Sequence, residues 1–116
     1  MLAAGSPPLT KEVAENYNNF VVWVFDIKLT PQQMKLMEQD LAASWGAFPP
    51  EEIQSMLQLA ELYARISVAP ADQQAQVRQA MQPQMLTLLR SQQNDPICKM
   101  LINAYDSQHG GAAIKH

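Results

Sequence analysis

TKEVAENYNNFVVWVFDIK, from Thr10 to Lys28, is the stretch whose reading decides the fold. Val13, Tyr17, Phe20, Val21, Val24 and Ile27 recur at intervals of three and four. That spacing puts them on one face of a helix. Thr10 is a suitable N-cap, so the spacing predicts a helix over about residues 11–28. The run from Phe20 to Phe25 is apolar around almost the whole circumference. At about 100° per residue, Phe20 and Val24 point inward, Trp23 and Phe25 lie on the two flanks, and Val22 lies on the back. Glu15, Asn18 and Asp26 share that back face and make it polar. Either the helix is central and touched on three sides by the others, or Val22, Trp23 and Phe25 are exposed and bind a partner. Aromatic side chains are favoured anchors in such interfaces.

Downstream, prolines mark where helices begin. Thr30-Pro31-Gln32-Gln33 has an N-cap, a proline at the first helical position and Gln three residues after the cap, which is a capping box. This helix carries Met34, Met37, Leu41 and Trp45 and stops at Gly46. One or two residues separate it from the first helix, which predicts a sharp corner or an antiparallel pair. A third helix starts at Pro49-Pro50-Glu51-Glu52, whose carboxylates face the positive end of the helix dipole. Its buried face is Ile53, Met56, Leu57, Ala60, Tyr63 and Ala64, and Glu61 with Arg65 is a favourable pair four residues apart.

A fourth helix, about 71–93, meets Pro83 in its interior. Val77, Ala80, Met81, Met85 and Leu88 stay on one face across the proline, which predicts one helix kinked at Pro83. Asp95-Pro96 caps and starts the last helix, with Ile97, Met100, Leu101, Ala104 and Tyr105 inward and Gly110-Gly111 at its end. No apolar–polar alternation or hairpin turn suggests strands. The expectation is an all-α protein, a compact five-helix bundle with orthogonal or irregular packing. Residues 10–109 form its single domain, between flexible segments 1–9 and 110–116.

Of the 116 residues, 47% are hydrophobic and 16% charged; glutamine supplies much of the remaining polarity. Gln73, Gln74, Gln76, Gln79, Gln82 and Gln84 read as a neutral helix surface. Net charge is −3, and the eight basic residues are scattered, which argues against nucleic acid or anionic lipid as partner. No apolar run approaches the ~20 residues that cross a bilayer. Met1 to Pro8 lacks the pattern of a signal peptide. A cytoplasmic location is slightly favoured over a mature secreted form.

Catalytic chemistry finds little support. The two histidines, His109 and His116, fall at the C-terminal end, away from a nucleophile. Cys98 sits in the first turn of the last helix, where the dipole can lower a thiol pKa, but the edge of an apolar stripe favours a half-buried structural role. Met34 with Met37 and Met81 with Met85 could in principle bind Cu(I), but they lie on core faces, where Met fills gaps. Glu51 and Glu52 diverge on a helix and suit its N-terminus better than acid–base work. No catalytic residue, cofactor or metal site is expected. The order of aromatic-rich helix, Leu29-Thr30-Pro31-Gln32-Gln33 and a helix ending in Trp45 has a bacterial cast, and no residue's role is carried over from it. The sequence reads as a non-catalytic helical interaction module or small accessory protein. Its partner would be another protein or a second copy, bound through Val22, Trp23 and Phe25. The alternatives are a helical carrier enclosing an apolar ligand, and an enzyme built on Tyr63, Tyr105 and the acids.

Overall fold

The computed structural model describes residues 8–110. Among them are five α-helices and no strand: α1 (Lys11–Phe25), α2 (Pro31–Ser44), α3 (Pro50–Ile66), α4 (Ala71–Arg90) and α5 (Pro96–Tyr105). A 3₁₀ turn, Trp45–Ala47, follows α2, and a π turn, Asp106–Gly110, follows α5. The flexibility expected of 1–7 and 111–116 lies outside the described residues. Leu9, assigned to the lead-in, packs beside Trp45, Leu41 and Ile53.

The helix starts follow the chemistry of the chain. Thr10 Oγ1 accepts from Val13 N at 3.1 Å. Thr30 and Gln33 close their capping box in both directions, at 3.1 and 2.9 Å. Asp95 Oδ2 accepts from Cys98 N at 2.9 Å. Pro31, Pro50 and Pro96 open α2, α3 and α5, where a missing N–H costs no hydrogen bond.

Helix α1 is the centre, packed against α2, α3 and α4. Phe20, Val24 and Phe25 are at most 2% exposed. They join Met37, Leu89, Leu101 and Ile102 in the main core, while Leu41, Trp45, Ile53 and Met56 form a second cluster. Tyr17 touches both.

The C-terminal end of α1 lies inside the bundle, so its last carbonyls need partners from elsewhere. Asp26 turns left-handed (φ 53°, ψ 53°), and Ile27 N→Val22 O (3.2 Å) with Asp26 N→Trp23 O (3.1 Å) makes a Schellman ending. Distant side chains supply the other donors. Arg78 Nε donates to Trp23 O and Gln82 Nε2 to Val24 O, both at 2.8 Å. Gln108 exchanges two hydrogen bonds with Lys28, and His109 Nε2 meets Asp26 O.

Several expectations need correction. Helix α1 ends at Phe25, not Lys28, because Asp26 breaks it, so residues 26–30 connect α1 to α2. Helix α4 runs as one helix through exposed Pro83, as the spacing predicts, but ends at Arg90 and not near residue 93. Ala80 and Leu88, placed on its inner face, are exposed. The packed face instead centres on Arg78, Gln82, Met85 and Leu89, since α1's carbonyls attract the two polar donors. Gln82 and Gln74, which donates to Ala69 O at 2.9 Å, are therefore more than neutral surface. Ala64 is exposed, and Glu61 and Arg65 form no salt bridge. The salt bridge among the described residues is Arg90–Asp106 at 2.8 Å. That pair holds the Asp106 carboxyl below its ordinary pKa and raises Arg90. Both side chains are nearly half exposed, so its stabilisation is small.

Arg78→Ala should destabilise the fold by ~1–3 kcal/mol in urea denaturation, because it removes a charged donor from the part-buried Trp23 carbonyl and the cation from the Trp23 ring. Exposed Gln79→Ala should cost under ~0.5 kcal/mol; equal losses would show that the Trp23 contact is idle. Asp26→Gly should add ~0.5–1 kcal/mol, since it relieves both a left-handed non-glycine residue and a carboxylate at a helix C-terminus.

Candidate functional site

The three residues expected to bind a partner do not form an exposed patch. Phe25 is 2% exposed, edge-on to Tyr105 with centroids 6.5 Å apart. Val22 is half-buried against the main core. Trp23, also half-buried, lies between Phe20 (6.0 Å) and Tyr63 (6.4 Å), with the Arg78 guanidinium 5.0 Å from its ring centroid. The run from Phe20 to Phe25 is apolar all round because other helices cover it on every side, whereas Glu15 and Asn19 before it are exposed.

The concave feature lies on the other side of α1. A cleft of about 610 Å³ opens where the two core clusters fail to merge. No close packing joins α3 to α4 or α5, and α1 lies between them as the floor. Tyr17, Val21 and Phe25 form that floor, Leu41 and Met56 come from the second cluster, and Leu89 and Leu101 close the far side. The cleft is thus floored by residues that are otherwise core.

Polar groups interrupt these apolar walls. Asp40 on α2, Glu51 and Glu52 on α3, and Asp95 before α5 line it, with no Lys, Arg or His among the lining residues. Asn18 also lines it, at 3% exposure, and its Nδ2 has no hydrogen-bond partner. A buried amide donor without a partner costs ~1–3 kcal/mol. The sequence placed Asn18 on a polar back face, and only the packing of the other helices around α1 reverses that. Burial pushes the Tyr17 phenol above its ordinary pKa, with the Glu52 and Cys98 charges adding to it.

Cys98 lines the same cleft, its Sγ 3.6 Å from Gln92 Oε1. Burial first, then the Asp95 carboxylate and the charge of Asp40, push the thiol up to about 11. Burial, with the adjoining carboxylates, thus leaves the thiol above its ordinary value and not below it. Among the described residues, no group of three or more His, Cys, Asp or Glu side chains could hold a metal ion, and no helix is long and apolar enough to cross a membrane. Comparison with protein-family models, curated proteins and solved structures finds no match. Cys98, Glu51 and Glu52 stood out in the sequence, but the cleft that gathers them did not. Met37, Met56 and Met85, read there as core, also line it.

At pH 8, Cys98 should react with an aromatic disulfide reagent about one to two orders of magnitude more slowly than free cysteine, with the rate climbing toward pH 11. Urea-unfolded protein should react at the ordinary rate. Equal rates for folded protein and free cysteine at pH 8 would remove the shielding.

Proposed function

We propose that this protein is a non-catalytic helical binding module that holds an apolar group in the cleft over α1. The observation that carries this reading is a cavity of about 610 Å³ floored by core side chains. Ligand sites of ~300–1,000 Å³ with mostly apolar walls and a few polar groups are typical of small-molecule binding. A thiol held protonated at neutral pH, in a cleft with no histidine, supports binding over nucleophilic catalysis. Of the residues expected to bind a partner, Phe25 lines this cleft, and Val22 and Trp23 do not. An apolar segment of another protein, or a second copy of this chain, would have to use the same cleft.

The reading is tested by titration with the neutral fluorophore N-phenyl-1-naphthylamine. Wild type should bind one probe per chain with a blue-shifted, enhanced emission. Ser55→Trp, which places a bulky ring at an exposed lining position, should abolish binding while leaving the thermal midpoint within a few degrees. Binding that persists unchanged in Ser55→Trp, or no binding by wild type, would sink the reading. Sedimentation on the same samples separates the occupants: a dimer that Ser55→Trp dissociates would show that a second copy fills the cleft.

A further inference from the structure

The cleft's polar groups are one-sided in two ways, and together they specify a ligand. At its floor is a donor without an acceptor. Asn18 is 3% exposed, and its Nδ2 meets no protein oxygen. Buried polar side chains are nearly always paired, so this amide calls for an acceptor atom from outside the chain. Around it stand negative charges without counter-charges. Asp40, Glu51, Glu52 and Asp95 line the cleft, no basic side chain does, and none of the four is in a salt bridge among the described residues. Asp95 is committed to capping α5, and Glu51 and Glu52 also suit the N-terminus of α3. Asp40 caps nothing and stands at no helix start; it sits in the body of α2 and lines the cleft.

We propose that the cleft takes a small organic cation: an apolar body against Val21, Phe25 and Leu101, a hydrogen-bond acceptor at Asn18 Nδ2, and a protonated amine in the negative field of the rim that Asp40, Glu51 and Glu52 line. This rests on the binding reading above and adds the ligand's charge and its buried acceptor. The carboxylates repel anionic amphiphiles of the same shape, so fatty acids and bile-acid-like molecules are excluded by like charge. A neutral apolar molecule fills the cavity but leaves the rim charges unanswered.

Three dansyl amides with tails of similar length test this, one ending in ammonium, one in methyl and one in carboxylate. All three carry the apolar naphthalene and the sulfonyl acceptor. Wild type should bind the ammonium probe about tenfold more tightly than the methyl probe, a modest factor because the charge pairs are partly exposed. The carboxylate probe should be the weakest, and the spread should shrink as salt is raised. The combined variant Asp40→Asn, Glu51→Gln, Glu52→Gln should bring the three affinities within about twofold while keeping methyl-probe binding. Asn18→Leu, nearly the same shape, should weaken all three probes alike and raise the urea midpoint by removing an unpaired donor.

If the methyl probe binds and the three affinities are equal in wild type, the cation assignment is overturned while the binding reading stands. If Asn18→Leu binds every probe as wild type does, the acceptor contact is overturned. If no probe binds wild type, both readings fall together.

Discussion

The bundle depends on satisfying the buried C-terminal end of α1. A helix apolar on every side gains the most from being central, but its final carbonyls then lose contact with water. Two distant side chains of α4, Arg78 and Gln82, replace that water, while Gln108 and His109 from the turn after α5 bind the exposed backbone just beyond it, at Lys28 and Asp26. These contacts set the rotation of α4, whose polar residues turn inward while Ala80 and Leu88 turn out to solvent. They also dock the end of α5, where Tyr105 lies against both Phe25 and His109.

With α1 committed to α2, α3 and α4 at once, the surrounding helices cannot all meet one another. The main core gathers at the C-terminal half of α1, and the cluster around Trp45 and Ile53 gathers at its N-terminal half. Tyr17 bridges them, and the unfilled space above it is the cleft. Met37, Met56 and Met85 line that space. Unbranched thioether side chains re-pack easily, so the walls suit ligands of varied outline.

The helix starts were legible in the sequence because capping is local: Thr10, Thr30-Pro31 and Asp95-Pro96 act within a few residues of themselves. The inner faces of α1 and α2, and that of α5 except for buried Ile102, followed from periodicity for the same reason. What escaped was everything set by a distant partner. Asn18 is polar by type and sits off the apolar stripe, but the neighbouring helices cover it while Glu15 and Asn19 stay exposed. Gln74 and Gln82 looked like neutral surface because nothing within a few residues reveals a carbonyl awaiting a donor. The early end of α1 at Asp26 was hidden as well, since left-handed geometry at a non-glycine residue is imposed by packing. The cleft is the extreme case: its walls come from four helices and the Asp95 segment, and only the packing of α1 against its neighbours brings them together.

The hydrogen bonds between Lys28 and Gln108 join residues 80 positions apart. A contact of that span closes a long loop, and its entropy must be met before the contact stabilises anything. The end of α1 therefore cannot be completed by its neighbours in sequence. Until α4 and the last turn arrive, its carbonyls compete for solvent and the helix frays. No two-helix fragment of this chain holds the full set of donors, so the cooperative unit of folding is the whole bundle. The native contacts of this all-helical protein are therefore less local than its secondary structure implies: residues 78–109 complete a helix near the start of the domain.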